Sequence, residues 1–555
     1  MGLLMHLETL LAARLAPAFE AVAGRPIDPA VRASQHADFQ SNAALSLSRE
    51  MRRPPRDIAA AVAERADLTG LATVEVSGPG FLNLRVADQF LASVLESLDD
   101  RLGVAPVGSP QRVVLDYSGP NAAKEMHVGH LRSTIIGDAL ARILHWQGHD
   151  LIRVNHLGDW GTPFGMLIEQ LADLGAAGDT EHTLGDLTEF YRAARVKFDG
   201  DPDFRTRSRL RVVALQGGDA ASRALWKRLV AQSEEALLAT YARLGITLAQ
   251  ADFVGESFYQ DRLDGVVTSL TEKGLLVESE GALCAFPPGF TGRDGAPLPL
   301  IVRKSDGGFG YAATDLAAVR HRVHDLGATR LLYVVGSPQR THFAMVFAVA
   351  RAAGWLPPEV VAEHVEFGSI LGTDGKMLKT RAGDTVELSA LLNEADARSS
   401  APAIGVGAIK YADLSGDRRS DYIFDWDRML AFTGNTGPYL QYAHARVRSL
   451  FRQAGAPPVP PTGPIVLTGA AERELALALL RFEPAVTAAA DLREPHRLAT
   501  YLHELAMAFS GFFETSPILR APAEIRTSRL ALADLTGRTL ALGMTLLGLE
   551  LPTKM

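Results

Sequence analysis

Residues 112–134, RVVLDYSGPNAAKEMHVGHLRST, decide the fold. An apolar β-type run from Arg112 to Ser118 ends in a Gly-Pro-Asn turn. Beyond it Leu131, Ile135, Ile136, Ala139, Leu140, Ile143 and Leu144 mark one face of a helix closed by Gly148. The stretch DLIRVNHLGDWG at 150–161 reads as the next strand and loop. Strand, turn, helix, strand is half of a parallel nucleotide-binding sheet. His127, Gly129 and His130 stand at the start of that helix, where free backbone N–H groups and the dipole favour an anion. Two imidazole donors there would hold phosphate oxygens, and Gly129 would let a flat ring or ribose approach the backbone. Two surface histidines beside a helix start fit the same spacing. A zinc pair fits it less well, because helical zinc pairs favour i,i+4 spacing and need further ligands.

Outward from this stretch, RLLYVVGS (330–337) and HVEFGSILG (364–372) read as later strands of the same sheet. The second runs into GTDGKMLKTRAG (372–383), a Gly-rich loop with Lys376, Lys379 and Arg381. Such a loop can close over a nucleotide held at a strand's carboxyl end, where its cations would stabilise a departing pyrophosphate. Long charged helical stretches such as LWKRLVAQSEEALLATYARLGI interrupt the sheet pattern, so an insertion is expected at about 168–295. Residues 1–106 read as a small α/β domain, helical in its first half and ending in the hairpin TVEVSGPGFLNLRV (73–86). Residues 107–385 form the Rossmann-like parallel-sheet catalytic domain, 386–430 a helical connection and 431–555 an all-α domain. The fold class expected is multidomain α/β.

At 555 residues the chain exceeds one compact core. Its net charge of −8 argues weakly against a protein that coats nucleic acid, without excluding a local basic surface. No apolar run reaches the length of a membrane span, and the N-terminus reads as an amphipathic helix and not a signal peptide. The one cysteine, Cys284, rules out disulfides and any multi-cysteine zinc site, and a cytoplasmic setting is expected. Nine lysines stand against 47 arginines, and Lys124, Lys304, Lys376, Lys379 and Lys410 fall within the segments singled out here.

HVGH resembles the HIGH element, and KMLKT the KMSKS element, of class I aminoacyl-tRNA synthetases. Longer stretches resemble arginyl-tRNA synthetases in particular: DYSGPNAAKEMHVGHLRSTIIGD (116–138), NHLGDWGTPFGMLI (155–168), KSDGGFGYAATDLAA (304–318), KYADLSGDRRSDYIFDWDRML (410–430) and GNTGPYLQYAHARV (434–447). The end of the chain from Ser528 resembles the family's helical anticodon-binding domain. DFQSNAA (38–44) and GPGFLNLRV (78–86) resemble its N-terminal domain, which meets the tRNA elbow. The resemblance covers nearly the whole chain. It implies attack of the arginine carboxylate on the ATP α-phosphate, then transfer of the arginyl group to the terminal ribose of arginine tRNA. Mg²⁺ would enter with ATP, with no metal ligands from the protein and no tightly bound cofactor. A monomer is the family's default, and no membrane association is implied.

Carried over residue by residue, the resemblance makes His127, Gly129, His130, Lys376 and Lys379 catalytic, and adds Phe367 to them in binding ATP. Arginine would meet Ser118, Asn121, Lys124, His156, Glu256 (in VGESFY), Tyr311, Asp315 and Gln339 (in GSPQRTHF). Physical reasoning asks for the same kind of pocket, because a planar cation with five donors needs acceptors in fixed geometry. Tyr311 and Asp315, four apart, share one helix face. Asp159 either lines the cleft or braces its loop. Phe81, Asn83, Tyr439, Gln441, Tyr442 and Arg446 would contact tRNA, although Phe81 and the tyrosines equally suit core packing. Leu378 stands where KMSKS has serine, while both lysines remain. A small-molecule adenylating enzyme would not need the terminal domains, and a non-catalytic relative would be expected to lose the phosphate-gripping groups.

Overall fold

The computed structural model describes residues 7–122, 124–175, 187–292, 294–379, 386–455 and 463–552. At its centre is a five-stranded, all-parallel sheet. Across it the strands run Val361–His364, Arg330–Tyr333, Arg112–Asp116, Asp150–Leu157 and Phe253–Gly255. Successive strands are added outward from Arg112–Asp116, first to one side and then to the other. The winding therefore reverses between Arg112–Asp116 and Arg330–Tyr333, and a crevice opens at their carboxyl ends.

Helices cover both faces, so the central strands are buried on both sides. Val113, Leu115 and Leu332 pack towards the helix Val128–Trp146. Val114, Leu331 and Tyr333 pack towards the helices Gln260–Glu272, Tyr311–Arg320 and Arg340–Ala352. Gly137 allows the first helix to lie close on the sheet, since a Cβ there would come within 2.3 Å of the Tyr117 side chain.

The expected insertion at 168–295 is not one continuous unit. The helices Thr162–Gly175, Leu187–Gly200, Pro202–Gln216 and Ala220–Leu244 form one excursion. The chain then returns to the parallel sheet at Phe253–Gly255 before leaving again for an antiparallel sheet built from Val277–Ser279, Ala282–Ala285 and Leu300–Arg303. A three-residue edge strand is too short to show any periodicity in sequence.

The N-terminal region packs helices Leu7–Ala23, Ala43–Met51 and Pro55–Ala63 on a four-stranded antiparallel sheet. The hairpin pairs Ala72–Ser77 with Phe81–Val86 in the register Ser77 to Phe81. Two three-residue strands, Val31–Ala33 and Phe39–Ser41, lie in the half expected to be helical. After residue 386 the described chain is helical apart from Tyr422–Ile423, which pairs with Ile370–Leu371. Helices within 437–546 share one core with Val128–Trp146.

Candidate active site

A cavity of about 570 Å³ occupies the crevice at the sheet's switch point. It brings together Ser118, Asn121, Gly129, His130, His156, Glu256, Tyr311, Asp315, Gln339 and Phe367.

The histidine pair begins as a helix cap. Gly129 N–H donates to His127 Nδ1 at 3.0 Å, and His127 N–H donates to His130 Nδ1 at 3.2 Å. A backbone N–H can only donate, so each Nδ1 offers its lone pair and a neutral ring carries its proton on Nε2. Burial, then Lys124, pushes His127 down. Burial, then the charge of His127, pushes His130 down to about 3. Two neutral imidazoles, ring centroids 4.0 Å apart, thus keep Nε2–H donors at the N-terminus of a 19-residue helix. Gly129 has a nearer reason than ligand approach: a Cβ there would stand 2.7 Å from the His127 ring.

Across the cavity is an acidic group. Glu256 opens a short turn after the edge strand, and burial pushes its carboxyl up to about 8, with Asp159 and Asp315 adding to the rise. Asp159 braces that turn, accepting from Ser257 N–H at 2.9 Å and from Ser257 Oγ at 2.5 Å. Gly255 makes room for it, since a Cβ there would lie 2.1 Å from Asp159 Oδ2. Asp315 sits one turn after exposed Tyr311 on the helix Tyr311–Arg320 and accepts from His342 Nε2 at 2.6 Å. His156 stacks on Tyr259. Beneath the crevice, Asp116 is paired with fully buried Arg322 at 2.7 Å. His342 was missed in sequence although it lies in GSPQRTHF, three residues after Gln339.

The remaining expected residues are placed as follows. Asn121 bridges to Gly158, where a Cβ would meet Asn121 Oδ1 at 2.4 Å. Ser118 lines the cavity in a left-handed conformation (φ +73°). Its hydroxyl lies 2.7 Å from Tyr241 OH and accepts from Thr134 Oγ1 at 2.9 Å, which holds the turn and leaves one of the hydroxyl's three hydrogen-bonding positions for the cavity. Gln339 is exposed at the end of the 3₁₀ turn Ser337–Gln339, with Pro338 at its middle. Phe367 bridges to Gly336 beside it.

Lys124 lies outside the cavity lining, with Nζ 4.7 Å from the centroid of the Tyr191 ring in the helical excursion. Lys376 and Lys379 are exposed, and Lys376 sits in a tight turn closed through Gly375 at φ +73°. Arg381 and Gly383 of that loop lie outside the described residues. The chain re-enters with Val128 N–H donating to Val386 C=O and Leu388 N–H to Met126 C=O, so the loop's exit is pinned to the histidine motif. Among the described residues no group of three His, Cys, Asp or Glu side chains is arranged to hold a metal.

Of the residues expected to meet tRNA, Phe81 and Asn83 lie on the open face of the N-terminal sheet, where Asn83 Oδ1 accepts from Gln40 Nε2 at 2.7 Å. Tyr442 is exposed beside Arg446, whose guanidinium lies over its ring and that of Phe513. Tyr439 is half-buried and packs edge-on against His503. Gln441 is a correction: it is fully buried, and Nε2 donates to the carbonyls of Ala403 and Glu550, both at 3.0 Å. It ties the helix Gly437–Gln453 to the end of the chain and cannot reach a nucleic acid.

A histidine-capped helix at the switch point of a parallel sheet, followed by a lysine loop, is a nucleotide-binding arrangement, and the match to a family model places it among the class I tRNA synthetases. The catalytic-domain family "tRNA synthetases class I (R)" matches residues 93–402, the "DALR anticodon binding domain" matches 440–555 and the "Arginyl tRNA synthetase N terminal domain" matches 5–86. The chain is 51% identical to the arginine–tRNA ligase of Thermobifida fusca, covering 99% of each chain. It is 48% identical to that of Cutibacterium acnes, covering 98% of this chain and 100% of the other. Two solved arginyl-tRNA synthetases superpose on the whole molecule. That of Plasmodium falciparum has a TM-score of 0.84 at 27% identity, with 100% of both chains covered. That of Thermus thermophilus has a TM-score of 0.81 at 26% identity, with 99% of this chain and 100% of the other covered. The chain belongs to the arginyl-tRNA synthetase family.

Proposed function

We infer that the chain activates arginine with ATP and transfers it to arginine tRNA, with its two substrate ends bound at opposite sides of the one cavity. A carboxylate oxygen of arginine attacks the α-phosphorus, and the bond to the pyrophosphate oxygen breaks. A hydroxyl of the tRNA's terminal ribose, the 2′-hydroxyl in the class I pattern, then attacks the arginyl carbonyl and AMP leaves. The work of the protein is positioning and charge stabilisation.

His127 and His130 direct Nε2–H donors at the phosphates, Gly129 gives the helix end its close cap, and Phe367 borders the nucleotide. Lys376 and Lys379 approach the leaving pyrophosphate as their loop closes. Asn121 meets the charged end of the amino acid. Glu256, Asp315, Tyr311 and Gln339 take the guanidinium, with His156 on the wall between. Lys124 acts from the rim. Phe81, Asn83, Tyr439, Tyr442 and Arg446 are assigned to tRNA, the first two at its elbow. Mg²⁺ would come in on the phosphate oxygens and water, needing few or no ligands from the protein. We read the enzyme as a cytoplasmic monomer, a state that sedimentation checks.

The observation that carries the reading is the pair Glu256 and Asp315 in the same cavity as His130. Glu256, its carboxyl pushed up by burial and by the charges of Asp159 and Asp315, and Asp315, held by His342 through one oxygen, are suited together to a cationic substrate. Arginine-dependent ATP–pyrophosphate exchange, with and without arginine tRNA, tests it. Exchange that requires the tRNA is the expected result. Exchange without tRNA would favour a small-molecule ligase, and none in either case would favour a non-catalytic relative.

A further inference from the structure

Asp315 does not stand alone in the guanidinium pocket. His342, on the helix Arg340–Ala352, brings Nε2 to 2.6 Å from Asp315 Oδ2. The ring nitrogen donates and the carboxylate accepts. His342 itself is steadied edge-on against Phe343, with ring centroids 5.5 Å apart, and both line the cavity. Among the described residues Oδ1 of Asp315 takes no hydrogen bond from the chain, so Oδ2 is anchored through one lone pair while its second lone pair and Oδ1 stay available to a guanidinium.

We propose that His342 is a positioning residue for arginine recognition, fixing the plane of the Asp315 carboxylate so that it receives a guanidinium in preference to an ammonium. The inference rests on the assignment of Asp315 to the substrate. Two parallel N–H···O bonds require the carboxylate and guanidinium to be coplanar, and anchoring one oxygen sets that plane before the substrate arrives. An aspartate already held also loses less rotamer freedom on binding. An ammonium is a point charge that makes no such demand. Loss of His342 should therefore weaken arginine more than lysine.

The test compares the unaltered chain with His342→Ala, His342→Gln and His342→Asn in tRNA-supported pyrophosphate exchange, varying arginine, ATP and competing lysine. Glutamine places an amide N–H at nearly the reach of histidine Nε2, whereas the asparagine amide falls short. Ala and Asn should raise the arginine KM by about tenfold or more, the cost of one hydrogen bond to a charged group. Their kcat should stay within about threefold and their ATP KM should not change. The inhibition constant of lysine should move less than the arginine KM, and Gln should recover most of the loss.

A normal arginine KM in His342→Ala would overturn the proposal, as would a fall in kcat with KM unchanged, or Gln behaving like Ala. Melting curves check folding. Should the alanine variant fail to fold, the Gln–Asn comparison decides by the same criterion. No exchange by the unaltered chain with tRNA would overturn the functional reading and this role together. Exchange by that chain with a normal KM in the variants would remove only the role of His342.

Discussion

Burial pushes the Glu256 carboxyl up to about 8, and the neighbouring charges of Asp159 and Asp315 add to the effect. At neutral pH the empty pocket therefore holds Glu256 mostly as the acid. A guanidinium placed beside it favours the carboxylate, so arginine binding expels a proton. The sign follows: arginine affinity should rise with pH below about 8, by up to about tenfold per unit, and level off above it. Titration calorimetry from pH 6 to 9 checks this, with the released proton read in buffers of different ionisation enthalpy. Glu256→Gln should bind weakly and lose the slope, and a flat profile in the unaltered chain would remove Glu256 from the pocket. The histidine pair behaves differently. His130, down at about 3, stays neutral throughout that range and adds no pH dependence of its own. His130→Ala should lower the rate of adenylate formation by about 10²-fold, the effect of losing one preorganised donor, with arginine affinity little changed. Rapid-quench measurement of adenylate distinguishes this from a binding defect.

The helix Val128–Trp146 shows what could be read in advance and what could not. Its apolar face, its glycine and its histidines are local features, and local features are legible in one sequence. Its fastening to the rest of the chain is not, because the partners are hundreds of residues away. Arg132, nearly fully buried, is held by Asp413 at 3.0 Å and by the Ser420 carbonyl at 2.9 Å. Removing Asp413 leaves a buried guanidinium without its counter-charge. Asp413→Ala should cost about 3 kcal/mol or more in urea unfolding, and Asp413→Asn, which keeps an acceptor, should cost less. Equal stability of the two variants would show that charge is not what matters there. The same limit explains Gln441. Tyr442 and Arg446 recur at helical spacing and lie on the outer face, but Gln441 is turned about 100° from Tyr442 around the helix and falls inward. A motif read as a string does not say which of its members face the solvent. Phe253–Gly255 was hidden for the opposite reason, since three residues carry too little pattern.

At the scale of the whole molecule, the N-terminal sheet is held against the C-terminal helices through Arg473. Its guanidinium meets both oxygens of Asp38 at 2.6 and 2.7 Å, Asp88 at 2.7 Å and the Val86 carbonyl at 2.6 Å. Val86 ends the strand that carries Phe81 and Asn83, so this side chain, with Leu467, Leu477 and Leu480 packed on the N-terminal core, helps set where that face stands relative to the helices bearing Tyr442 and Arg446. A tRNA gripped at both places, as proposed above, would bind as a two-point ligand whose affinity depends on the spacing between the points. Deleting residues 431–555 would test this poorly, because Leu532 and Leu540 share the core of Leu131 and Ile135, and the remaining fragment would expose that core. Arg473→Ala is the sharper probe. It should raise the tRNA KM in aminoacylation by about tenfold while arginine binding, measured by calorimetry, stays as it was. Arg473→Lys keeps the charge but loses the fork geometry and should recover only part of the affinity. If the tRNA KM were unchanged in both variants, the two ends of the molecule would be reading tRNA independently, and the clamp would serve stability alone.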